Sequence, residues 1–255
     1  MASLLSLDDV SLSFKGVKAL TSLSFAIEEG HVSALIGPNG AGKSSALNLI
    51  NGVYRADSGS IVFDGHRFTS IRPLQAARLG IGRTFQHNAL FKHMRVIDNV
   101  MVGLSRVDCS GIVSHAFRLP LGRREEARLR ERAERALDLL HISRYRDVEA
   151  GTLPYGIQKR IDLARALVAE PKLLLLDEPM AGMNHDEKQE MSDLIRRVNQ
   201  TLATTVLMIE HDVGIVMGLC DHIVVLDYGR KVGDGTPEAV RDDPEVLAAY
   251  LGTPH

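Results

Sequence analysis

A glycine-rich octapeptide, Gly37-Pro38-Asn39-Gly40-Ala41-Gly42-Lys43-Ser44, leaves few folds open to this chain. It fits G-x-x-x-x-G-K-[ST], the Walker A pattern of a phosphate-binding loop. The run before it, Val32 to Ile36, is short and apolar and reads as a buried strand, and Ser44 to Ile50 after it reads as a helix. Glycines let the backbone bend close to a polyphosphate, with the loop N–H groups turned inward as an anion nest. The N-terminus of the following helix adds about half a positive charge. Lys43 is placed to reach the β- and γ-phosphates, and the Ser44 hydroxyl to ligate Mg²⁺, with Ser45 one step into the helix.

The chain has 255 residues, enough for one large domain or two small ones. Apolar residues make up 45% and charged residues 24%, globular values that argue against disorder. The net charge of −2 lacks the basic excess of a nucleic-acid binder. Cys109 and Cys220 stand alone, without metal-type spacing, and suit a reducing compartment. The segment Met1 to Asp9 has no basic region and meets acid early, so it does not read as a signal peptide. No apolar run approaches the ~18 residues that span a bilayer, so a role at a membrane requires another chain to cross it.

Residues 4 to 36 are rich in strand patterns: Val10 to Phe14 and Leu20 to Ile27 alternate apolar and polar, with turns at Gly16 and at Glu28-Glu29-Gly30. Gly59 to Gly65 reads as a further strand ending in an Asp-Gly turn. From about 87 to 165 the period becomes helical. Leu129, Ala133, Ala136, Leu137 and Leu140 share one face of a helix over 123–140, and its interspersed Arg and Glu read as a solvated face with i,i+4 pairs. Residues 105–122 read as an irregular insertion. Beyond 172, strand and helix alternate again: Leu173 to Asp177, Asp186 to Leu202, Thr205 to Glu210, Asp212 to Leu219 and His222 to Asp227. That alternation predicts a parallel α/β sheet, interrupted by a helical subdomain.

Leu173-Leu174-Leu175-Leu176-Asp177-Glu178-Pro179 is a buried strand ending in carboxylates. Asp177 suits the Mg²⁺ shell, the Walker B role, and Glu178 can polarise an attacking water. His211 follows the next strand, and Gln86 stands in Arg83-Thr84-Phe85-Gln86; neither is informative alone.

The order of these features along the chain resembles the ATPase subunit of ABC transporters, over Leu7 to Gly252. The resemblance implies a P-loop NTPase of ABC ATPase type, with a RecA-like parallel core, an antiparallel β subdomain and a helical subdomain. It implies a single domain divided as 1–86 and 166–255 for the core and 87–165 for the helical part. Leu153-Pro154-Tyr155-Gly156-Ile157-Gln158 takes the place of the family's L-S-G-G-Q signature, whose Gly156 caps the γ-phosphate held by the opposing subunit. Phe14 looks like the aromatic that stacks on adenine, a core strand aromatic being the other reading. Gln86 resembles the glutamine that senses Mg²⁺ and touches the membrane partner, Ala181 to Asn184 the D-loop, and His211 the switch histidine on the γ-phosphate. The nucleotide site implied is Phe14, Gly37 to Ser45, Gln86 and Gly156, with Ser44, Gln86 and Asp177 toward Mg²⁺ and Lys43, Glu178 and His211 acting on ATP.

Four stretches point to the branched-chain amino-acid (Liv-type) branch: Asp177 to Asn184, Ile209 to Asp212, the insert at 105–125, and Pro244 to Gly252. Urea, short-amide and other amide-type importers share that branch. The implied partners are a second ATPase subunit, transmembrane permeases and, indirectly, a substrate-binding protein, with the chain peripheral on the cytoplasmic face of the inner membrane. A soluble ABC ATPase without a transporter is the rival class, though such chains usually carry long coiled coils or tandem halves. Pro154 stands where the family usually has serine, which removes a hydroxyl expected to reach the opposing γ-phosphate. Asn184 replaces the usual D-loop aspartate.

Overall fold

The computed structural model describes residues 3–84, 89–106 and 120–251. Ten strands and nine α-helices lie among these residues, arranged in two sheets and a helical layer.

The first sheet is antiparallel, in the order β2-β1-β4-β5, with β1 at Ser3–Phe14, β2 at Val17–Glu28, β4 at Ser58–Phe63 and β5 at His66–Phe68. The alternating patterns at Val10 and Leu20 are parts of two twelve-residue strands. The Asp64-Gly65 turn joins β4 to β5 with φ of 48° and 75°, the paired left-handed geometry that tightens a hairpin.

The second sheet runs β10-β9-β3-β8-β7-β6: Arg230–Gly235, His222–Asp227, Val32–Ile36, Thr205–Ile209, Leu173–Asp177 and Ile81–Arg83. All neighbours are parallel except the edge pair β10 and β9. The leucine run of β7 is apolar throughout because both of its faces are covered. Leu174 and Leu176 enter one core with Val206 and Met208, and Leu173 and Leu175 enter a second with Leu207 and Ile209. The second core is closed by the antiparallel sheet and by α1 (Lys43–Ile50).

Covering the first core are α3 (Val96–Val102), α4 (Pro120–Leu139), α5 (Tyr155–Leu167), α6 (His185–Leu202) and α7 (Val213–Leu219). In α4, Ala133, Ala136 and Leu137 face inward, as the period predicts. The helix begins earlier than the sequence pattern suggests, at Pro120, a residue whose missing N–H suits a first turn. The irregular insertion is correspondingly shorter; its remaining residues 107–119 and Gln86 lie outside the described residues. The charged face pairs within the helix, Glu131 with Arg135 at 3.3 Å, and beyond it, Glu134 with Arg146 at 2.9 Å. Three short helices complete the chain: α2 (Pro73–Leu79), α8 (Pro237–Arg241) and α9 (Pro244–Leu251).

Candidate active site

Parallel strands deliver their carboxyl ends to one edge of a sheet. Here β3 ends in the glycine loop, β7 ends in Asp177 and Glu178, and β8, between them, leads to His211. The register is tight: Leu35 and Asp177 both lie opposite Ile209 on β8.

The loop is packed from both sides. A Cβ at Gly37, where φ is 140°, would lie 2.0 Å from the Leu226 carbonyl oxygen. At Gly42, where φ is 99°, it would lie 2.6 Å from the Ala19 carbonyl oxygen. The Gly229 N–H donates to the Ala41 carbonyl at 3.0 Å, so the turn after β9 braces the loop. Gly42 is the N-cap of α1 and offers no side chain to its first N–H groups, which leaves them to an anion.

Lys43 is buried, and its ammonium donates to the Gly37 and Pro38 carbonyls at 2.7 and 2.8 Å. Burial pulls its pKa below the ordinary lysine value, and the Glu178 charge opposes that shift. The ammonium thus lies within the loop itself rather than in open solvent.

Across the cleft, His211 Nε2 and Glu178 Oε1 are 2.9 Å apart. Glu178 has a φ of 50°, a left-handed conformation that costs a non-glycine residue about 1–3 kcal/mol and is typical of functional turns. Its N–H donates to the Ile209 carbonyl at 3.1 Å, extending the β7–β8 ladder by one rung. Ala19, Asn39 to Ser45, Glu178 and His211 line a cleft of about 220 Å³. Enclosed ligand pockets run to roughly 300–1,000 Å³, so these residues form part of a site's walls.

Asp177 is buried beside β6. One oxygen, Oδ2, accepts from the Arg83 guanidinium at 3.0 Å, and Arg83 also donates to Asn48 Oδ1 of α1 at 2.6 Å. The other oxygen, Oδ1, is buried with no hydrogen-bond partner among the described residues. An orphaned hard anionic oxygen beside a phosphate loop fits Mg²⁺. The sequence does not mark Arg83: Ile81-Gly82-Arg83-Thr84 carries no local pattern that announces a buried pair with a residue 94 positions away.

The remaining expected site residues lie apart from this cleft. Phe14 ends β1, 41% exposed, with its ring edge-on to Tyr54 at 4.9 Å. Gly156 is in the first turn of α5, where an added Cβ would sit 3.2 Å from Glu187 Oε1. Pro154 is the N-cap of α5 and supplies no side-chain cap. Its carbonyl accepts the Gln158 N–H at 3.0 Å, so the helix starts without needing a proline N–H. Tyr155 lies beside Gly182, where a Cβ would be 3.3 Å from the ring, and the Lys159 ammonium sits 5.6 Å from the ring centroid. Lys159 also reaches the Glu178 carbonyl at 3.5 Å. Asn184 forms a capping box with Glu187 at the start of α6, a task asparagine performs as well as aspartate. At the other end of the chain, α9 returns to the loop: the Tyr250 hydroxyl is hydrogen-bonded to the Gly37 backbone, and burial raises its pKa.

A nucleotide loop, a strand-end Asp-Glu pair and a histidine just past the next strand define the class, and comparison with known proteins agrees. The family described as ABC transporter matches residues 20–181, and the chain belongs to that family. A second family, described as branched-chain amino acid ATP-binding cassette transporter, matches residues 230–255. The chain is 38% identical over 249 residues to the high-affinity branched-chain amino acid transport ATP-binding protein BraF of Pseudomonas aeruginosa, covering 98% of each chain. It is 36% identical to the LivG protein of the same description from Escherichia coli, again over 98% of each. Among solved structures it is similar to an ATP-binding cassette of an ABC transporter in its ADP conformation, with a TM-score of 0.85, 31% identity, and coverage of 99% of this chain and 100% of that one.

Proposed function

We propose that this chain is the ATP-hydrolysing subunit of an ABC importer, powering uptake of branched-chain amino acids or a related small polar solute. The observation that carries the reading is the Glu178–His211 pair, 2.9 Å apart and facing the glycine loop across one cleft. Relatives at 36–38% identity over nearly the full length, named for branched-chain amino acid transport, support the solute class. The urea and short-amide importers remain the alternative within it.

In this reading the loop N–H groups and Lys43 hold the phosphates, Lys43 exchanging its contacts with the Gly37 and Pro38 carbonyls for phosphate oxygens. Ser44, Gln86 and Asp177 Oδ1 would hold Mg²⁺, which when bound neutralises charge developing on the phosphates. Glu178 takes the proton of the attacking water as its oxygen bonds to the γ-phosphorus and the bond to the ADP oxygen breaks. His211 orients Glu178 and lies toward the γ-phosphate. Phe14 stacks on adenine from the antiparallel sheet. Most of the acceleration is positioning and electrostatics.

The partial walls of the cleft support a second ATPase subunit whose Gly156 region closes it, with 1–86 and 166–255 as core and 87–165 as helical part of one domain. No helix among the described residues is long and apolar enough to cross a membrane. In this reading transmembrane permeases supply the pathway and a binding protein the solute, and this chain is peripheral on the cytoplasmic face.

Glu178→Gln in the assembled complex tests the reading. The amide accepts no proton, so turnover falls by at least about a hundredfold, while ATP stays bound and the dimer closed. Phosphate release at the wild-type rate would falsify the base assignment.

A further inference from the structure

Glu210 ends the run from β8 and precedes His211, yet only 5% of it is exposed. Burial pushes its carboxyl above the ordinary range; backbone donors at Met180 and His211 oppose that, and the Glu178 charge adds to it. A buried carboxylate is tolerated where its oxygens are taken by donors. Here Oε1 accepts the Met180 N–H at 2.9 Å and Oε2 the His211 N–H at 3.1 Å.

The two amides belong to different turns. Met180 lies two residues past Glu178, in the turn leaving β7, which is tightened by the Ala181 N–H donating to the Glu178 carbonyl at 3.2 Å. His211 begins the turn leaving β8. The last backbone rung between these strands is the Glu178 N–H on the Ile209 carbonyl. Beyond it the chains diverge, and the Glu210 carboxylate spans them.

We infer that Glu210 is a positioning residue for hydrolysis: its carboxylate staples the Glu178–Met180 turn to the His211 turn and so sets the spacing of the Glu178–His211 pair. The inference rests on the reading of that pair as the groups acting on ATP. A carboxylate is the chemistry required, because both partners are donors. Glutamine offers one acceptor and turns an NH₂ toward the second N–H.

The experiment is steady-state ATP hydrolysis by the full chain in its assembled complex, comparing wild type, Glu210→Gln, His211→Ala, the double variant and Glu178→Gln. Losing one charge-assisted hydrogen bond lowers kcat about tenfold in Glu210→Gln, with KM for ATP within about twofold, since the glycine loop is untouched. In the His211→Ala background the same change costs less than about twofold, because there is no imidazole left to place. A wild-type kcat, a raised KM alone, or fully additive losses overturns the staple. If Glu178→Gln and His211→Ala themselves keep the wild-type rate, the underlying catalytic reading fails, and the inference with it. Amide hydrogen exchange on the unmodified chain tests the staple without any substitution: the Met180 and His211 amides exchange slowly and at a common rate, and fast exchange at either overturns it.

Discussion

Arg83 holds one carboxylate oxygen of Asp177 at 3.0 Å and leaves the other buried without a hydrogen-bond partner among the described residues. Both side chains are 6% exposed. Removing one member of a buried pair leaves an uncompensated charge and costs about 3–5 kcal/mol. Arg83→Met is expected to lose that much in urea unfolding, together with the tie to Asn48. A loss under about 1 kcal/mol would mean that the pair behaves as a surface ion pair.

Gly42 and Gly16 both have positive φ, 99° and 87°, but only Gly42 meets a neighbour where a Cβ would stand. Gly16→Ala therefore carries backbone strain alone, about 1 kcal/mol, and leaves ATP affinity unchanged. Gly42→Ala adds a 2.6 Å clash with the Ala19 carbonyl, so the loop must move. ATP affinity is expected to fall at least about tenfold, read by equilibrium binding. Equal affinities for the two variants would refute the argument from close packing.

Asp212 caps α7 by accepting the Ile215 N–H at 3.3 Å, and it pairs with Lys188 at 2.7 Å. The hydrogen bond from Lys188 is the main cause that holds its carboxyl below the ordinary aspartate value. A depressed folded pKa contributes stability that is present above the unfolded value and is lost as pH falls through the folded one. Asp212→Ala is thus expected to cost about 1 kcal/mol at neutral pH, the worth of a cap, and less at low pH, where the protonated carboxyl loses its charge pairing with Lys188 but still accepts the Ile215 N–H. Parallel stability curves for the two chains from pH 7 down to about pH 2 would contradict this.

Pro154 begins α5 without a side-chain cap and without a hydroxyl. Pro154→Ser restores both. A new cap stabilises by about 1 kcal/mol, and the freer unfolded chain takes back about 0.4–1, so Tm should hardly move. Turnover of the site that this signature completes is expected to rise in the assembled complex. An unchanged ATPase rate would make the missing hydroxyl irrelevant.

Local chemistry is legible along the chain. The octapeptide at Gly37, the apolar run ending at Asp177 and Glu178, and the 3.6-residue period over Leu129 to Leu140 each depend on neighbours along the chain, so each is visible in one dimension. The order of these pieces was enough to indicate the ABC family and its α/β core. Which atoms meet across strands far apart in sequence is set by the packing of the sheets. Arg83 gives no local sign of its role, because its partners, Asn48 and Asp177, are 35 and 94 residues away. Glu210 looked like a polar residue at a strand end until the divergence of β7 and β8 put two amides on its carboxylate. Lys43, whose spacing points to the β- and γ-phosphates, is held in this structure by the carbonyls of its own loop, because an unpartnered buried ammonium is costly. The start of α4 at Pro120 is not legible because its first turn, Pro120-Leu121-Gly122-Arg123, lacks the apolar period.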